Sequence, residues 1–142
     1  MKWFSAILGI SMLVPGLAKF ANPFRTWFDI QVTESQLPYP LISKWLGQSG
    51  EIITGIILFS LVFSGMKLQR SSLASKAFLF SNLSAMIILL VTIFVHLHPN
   101  VPGDALPMGI KAPLFAVALI AMAIVNLYSY WSGKSIPVGH GS

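Results

Sequence analysis

Cysteine is absent from this chain, and charge is scarce: 9% of its 142 residues are Asp, Glu, Lys or Arg, and only 4 of them are acidic. Without cysteine there are no disulfides, no CxxC redox chemistry, no thiolate metal sites and no iron–sulfur clusters. A membrane thiol oxidoreductase working through its own cysteines is thereby excluded. So little charge does not fit an ordinary soluble domain, in which about a quarter of residues are charged. The sequence also lacks a nucleophile–base arrangement, a phosphate loop and any cofactor fingerprint. It therefore assigns no catalytic residue, and catalysis by this chain alone is not expected.

What is abundant is apolar surface. Hydrophobic residues make up 55% of the chain. A soluble fold of this size keeps a large surface-to-volume ratio and cannot hide that much. Lipid removes the conflict by acting as an apolar solvent, so a bilayer is the expected environment. The net charge of +5 does not indicate nucleic acid. The basic residues sit at the ends of apolar runs and form no patch or binding motif.

Four apolar runs, about 3–20, 47–66, 77–97 and 112–131, are each near the length that crosses a hydrocarbon core as a helix. The first is long for the apolar region of a signal peptide, and no A-x-A site follows it. It is read as a retained helix. The expected fold is all-α: an integral membrane four-helix bundle, up-down-up-down, forming one transmembrane domain over 1–135. A long loop outside the cytoplasm, 21–46, joins the first two helices. Trp27, Phe28, Tyr39 and Trp45 within it are interfacial residue types. It is read as a cap on the bundle with a short interfacial helix near 23–30, or as a linker with interfacial anchors. Residues 136–142 form a short polar, glycine-rich tail, read as flexible.

Basic residues orient the chain. One side holds Lys2, Lys67, Arg70, Lys76 and Lys134; the other holds Lys19, Arg25, Lys44 and Lys111 with all four acids, Asp29, Glu34, Glu51 and Asp104. The positive-inside rule puts both termini in the cytoplasm, with a bacterial inner membrane as the expected location.

Ionisable groups inside a membrane are costly and mark function by default. Lys19 closes the first run, Glu51 lies early in the second, His96 ends the third and Lys111 opens the fourth. Up-down threading brings all of them to the outer end. Ser5, Gly9, Met12, Gly16 and Lys19 share a helical stripe, as do Gly47, Glu51 and Gly55. Ser81, Ser84, Ile88, Thr92 and His96 form a third stripe. Lys111, Phe115, Ala118, Met122, Asn126 and Ser129 form a fourth. If these faces point inward, Lys19, Glu51, His96 and Lys111 meet in one pocket beneath the long loop. Such a pocket has donors for quinone oxygens, a histidine for proton exchange and an apolar groove for a tail. A structural ion pair, or lysines that merely snorkel to the interface, would use the same residues. His96 as a plain hydrogen bonder stands beside His96 as a ligand.

A haem is not expected. His96 and His98 lie two apart at one helix end and cannot face one iron together, and His140 lies in the tail on the opposite side. Glu51 with His96 is short of the ligands a metal needs, so no metal site is assigned.

Certain of these residues resemble the DoxX-like family of small four-helix membrane proteins. They are Gly16-Leu17-Ala18-Lys19-Phe20 closing the first helix, Gly50-Glu51 with Gly55 opening the second, a histidine ending the third, and a short charged loop between the second and third. The resemblance implies an accessory membrane subunit linked to quinone or sulfur redox chemistry, such as a partner of a quinone-linked oxidoreductase. It marks Lys19 and Glu51 as the residues to watch. It carries no motif in the long loop, so the protein partner, or self-association as a homo-oligomer, is left open. The other reading is a non-catalytic assembly or scaffold subunit of a larger membrane complex.

Overall fold

The computed structural model describes residues 2–63, 72–106 and 109–134, with the side chains of 133 and 134 excepted. The sequence readings on Lys67, Arg70, His140, the side chain of Lys134 and the tail 136–142 lie outside the described residues. The chain is all-α. Its helices are α1 (Lys2–Ala18), α2 (Phe24–Glu34), α3 (Pro40–Phe63), α4 (Ser72–Leu97) and α5 (Leu114–Lys134), with a 3-10 turn at Gly103–Ala105. Among the described residues there is no strand. Three stretches, Pro40–Phe63, Ser72–Leu97 and Leu114–Ser132, are long and apolar enough to cross a membrane. The chain is an integral membrane protein on this ground. Helix α1 is apolar but shorter, at 17 residues.

The second run begins earlier than hydropathy marks it. Helix α3 starts at Pro40 rather than near 47. A proline suits the first turn of a helix, where its missing N–H has no partner to lose. Lys44, Gln48 and Ser49 dilute the hydropathy of that end without breaking the helix, since none of them is a helix breaker. The segment 21–46 is thus mostly helical. It holds α2 and the first two turns of α3, and the short helix expected near 23–30 runs on to Glu34.

Helix packing runs α1 against α3, α3 against α4, α4 against α5, and α5 back against α1. The core is built from Leu8, Met12, Leu58, Phe78, Ala85, Leu89, Ala116, Leu119, Ala123 and Tyr130. The α1–α3 contact is the closest, because glycine lines it. A Cβ on Gly55 would stand 2.7 Å from the backbone nitrogen of Leu13 and 2.8 Å from the carbonyl oxygen of Gly9. A Cβ on Gly16 would stand 2.8 Å from Ile52 Cγ1. In lipid, where apolar side chains gain nothing by leaving solvent, such backbone approach is a main source of helix association.

A hydrogen-bonded track crosses the core at one level. Ser5 Oγ on α1 donates to Asn126 Oδ1 on α5 (3.3 Å), and Asn126 Nδ2 donates to Asn82 Oδ1 on α4 (3.2 Å). Asn82 Nδ2 then donates to the Phe78 carbonyl (2.9 Å). All three polar side chains are buried, so the track satisfies groups that lipid cannot.

The stripe assigned to α1 is the buried one: Ser5, Gly9, Met12 and Gly16 all face the core. The stripe assigned to the fourth run is inward only in part. On α5, Phe115 and Ala118 are exposed, and the buried face is Ala116, Leu119, Ala123, Asn126, Leu127 and Tyr130. On α4 the assigned stripe faces inward at its ends, with Ser81 and His96 buried and Ile88 against Gly50 of α3, and the buried face also carries Phe78, Asn82, Ala85 and Leu89. Almost every face of α5 is apolar, so hydropathy alone does not orient it.

Above the bundle, α2 leans on α3, and the 3-10 turn packs against α2. Gln31 Nε2 donates to the Ala105 carbonyl, an ion pair joins Lys44 to Asp29, and Phe28 lies over Gly47. A small second core of Val95, Val101 and Leu106, with Leu37 against it, fills the space beneath this cap.

Candidate functional site

Lys19 lies one residue beyond the last residue of α1, its N–H still donating to the Pro15 carbonyl at 3.2 Å. The negative end of the helix dipole favours a cation there. Glu51 projects from α3 against that end, and its Cβ would meet any side chain placed at Gly16 (3.1 Å). Lys19 Nζ donates to both carboxylate oxygens of Glu51 at 2.6 Å. The two side chains keep 15% and 10% exposure, so the pair is shielded yet not sealed. The ammonium also sits 4.0 Å from the centroid of the Phe28 ring, contributed by α2. Three elements thus hold one charge: α1 supplies it, α3 neutralises it and α2 roofs it with an aromatic face.

Gln48, one turn before Glu51, donates from Nε2 to the Gly16 carbonyl at 3.2 Å. This satisfies one of the carbonyls left open at the C-terminus of α1. A cleft of about 140 Å³ opens beside these groups, lined by Lys19, Phe20, Arg25, Lys44, Trp45 and Gln48. Three cations face it, and no acid is among its lining residues.

Of the four residues singled out in the sequence, the structure joins two. His96 is buried, but its Nδ1 pairs with the carbonyl of Thr92 on its own helix (2.9 Å). Gly50, beside Glu51, faces Ile88 on α4, since a Cβ there would lie 3.0 Å from Ile88 Cδ1. His96 lies eight residues further on, or about 12 Å along the helix, away from the Glu51 level. Lys111 is exposed, lies before α5 begins, and donates to the Pro99 carbonyl at 3.3 Å. His98 lies in the loop just after α4, with its ring near Phe94. Among the described residues, no group of His, Asp and Glu is placed to hold a metal ion.

The sequence missed Gln48, Arg25, Lys44, Trp45 and Phe28 as site residues. A signal existed for two of them. Lys44, Gln48, Glu51 and Gly55 step by four, three and four along α3, a helical stripe that appears once the helix is begun at Pro40. Phe28 and Arg25 carry no such signal, since their place depends on how α2 folds back.

Comparison with known protein families, with curated proteins and with solved structures gives no match.

Proposed function

We propose that the chain is an accessory membrane subunit that binds a quinone, or a similar small apolar molecule with oxygen acceptors on its head, in the cleft beside Lys19. In this reading α1, α3, α4 and α5 cross a bacterial inner membrane up-down-up-down, with both termini cytoplasmic and the α2 cap outside. The protein works in redox metabolism of the kind the DoxX-like resemblance implies.

One observation carries it: the Lys19 ammonium lines an open cleft with its donors only partly used. An ammonium has three N–H groups and the carboxylate takes two, which leaves one for a ligand oxygen. Gln48 Nε2 likewise has two N–H groups and gives one to Gly16. Phe20 and Trp45 supply apolar walls for a flat ring. The cleft has room for a head group and not for a tail, which then lies in lipid along the exposed residues of α1 and α3. Glu51 positions the ammonium; without it, Lys19 at a helix end is free to snorkel outward.

The test is gentle purification of the full chain in nanodiscs, followed by native mass spectrometry and extraction of bound quinone. A stoichiometric quinone that is lost in Glu51→Gln and Lys19→Met is the expected outcome. Equal retention in all three proteins refutes the reading.

A second reading rests on the same pair's location. Lys19 and Glu51 join α1 to α3 at their glycine-lined contact, so the pair also serves as a lock in a scaffold subunit. There, Glu51→Gln lowers stability or assembly with a partner, and no quinone accompanies the wild-type protein.

A further inference from the structure

We propose that the mouth of the cleft binds the phosphate diester of an anionic phospholipid through Arg25 and Lys44, with acyl chains along the neighbouring apolar residues. This goes beyond the quinone reading and uses different side chains.

The charge count supports it. Lys19, Arg25 and Lys44 line the cleft. Glu51 neutralises Lys19, and Asp29 pairs with Lys44. The Arg25 guanidinium has no hydrogen-bond or ion-pair partner among the described residues, which leaves one net positive charge at the mouth. A guanidinium is built for two parallel hydrogen bonds to phosphate oxygens. Lys44 uses one N–H on Asp29 and keeps two.

The surroundings decide between lipid and a free anion. Phe20 (59% exposed) and Trp45 (55%) line the cleft with these cations, and exposed Phe24 (49%) and Leu41 (69%) lie next to Arg25 and three residues before Lys44 in the chain. Phe24 and Trp27 stack edge to face at 5.4 Å, giving a firm aromatic wall at the start of α2. Aromatics and arginine at the end of a span belong to the head-group layer. A soluble phosphate gains nothing from this apolar flank, whereas a diester carrying two chains does.

The experiment uses the full chain in nanodiscs of equal parts phosphatidylglycerol and phosphatidylcholine, released for native mass spectrometry with lipid identification. The expected result is retained phosphatidylglycerol, enriched about tenfold over phosphatidylcholine, the scale of one charge-assisted contact. In Arg25→Gln the enrichment falls to parity, and Arg25→Lys restores part of it. Arg25 is exposed and unpaired, so the substitution does not threaten the fold. Glu51→Gln keeps or raises the enrichment, because it leaves the Lys19 charge of the same cleft unneutralised, while it abolishes quinone retention; this separates failure here from failure of the quinone reading. Equal retention of both lipids by the wild type overturns the proposal. So does unchanged enrichment in Arg25→Gln. Displacement of the lipid by millimolar inorganic phosphate overturns it as well, because the mouth is then a site for a soluble anion.

Discussion

Breaking the Lys19–Glu51 pair from either side has unequal costs, and the inequality follows from where each residue is anchored. Lys19→Met removes the cation and leaves Glu51 on α3 with a side chain only 10% exposed. A short carboxylate on α3, shielded though not sealed, has little access to water once its cation is gone. Removing one partner of a buried pair costs about 3–5 kcal/mol, and the upper part of that range applies here. Glu51→Gln leaves an ammonium on a long flexible stem at a helix end. Lys19 swings toward the interface and keeps its solvation, and the amide still accepts a hydrogen bond. The expected loss is about 1–2 kcal/mol. The double variant Lys19→Met/Glu51→Gln removes both charges and costs about 1–2 kcal/mol, well below the two singles summed, because no uncompensated buried charge is left behind. The coupling between the sites is therefore large and favourable. The assay is unfolding of the four proteins by sodium dodecyl sulfate titration in mixed micelles, followed by tryptophan fluorescence. Equal single losses, or a double variant equal to the sum of the singles, refute the reasoning. Either result would mean that the pair is hydrated and contributes as little as a surface ion pair.

Other outcomes follow from the packing. Gly55→Ala places a Cβ 2.7 Å and 2.8 Å from backbone atoms of α1, which cannot rotate away. It lowers stability by about 1–3 kcal/mol in the same titration. Asn126→Leu removes the bridge between Ser5 and Asn82 and costs about 0.6–1.7 kcal/mol, and adding Asn82→Leu costs less than the two singles summed. Ser81 Oγ is buried without a partner among the described residues, so Ser81→Ala is neutral or slightly stabilising. Lys111→Gln changes stability by less than about 0.5 kcal/mol and, on the quinone reading, leaves retention at the wild-type level, because Lys111 is exposed and among the described residues bonds only the Pro99 carbonyl.

The amino-acid sequence by itself determined the environment of this protein and the composition of its helices. Long runs with almost no charge have one low-energy solution, a helix in lipid, because every backbone group must be satisfied internally. It also determined the buried face of α1, where small and polar residues at steps of three and four stand out against apolar neighbours. The Lys19–Glu51 pair was legible for the same reason: a rare charge near one end of a span needs an opposite charge at that depth. Tertiary structure decided what periodicity does not encode. The facing of α5 depends on which alanines and asparagines meet between helices, and the structure leaves Lys111 exposed on the Pro99 carbonyl and His96 hydrogen-bonded to its own helix. The start of α3 at Pro40 depends on polar residues that stay helical because α2 covers them, through Asp29 on Lys44 and Phe28 over Gly47. The cleft exists only because that cap folds back and brings Arg25 and Phe28 to residues far from them in the chain. Local sequence patterns fix which residues share a helix face; contacts between distant segments fix what that face meets.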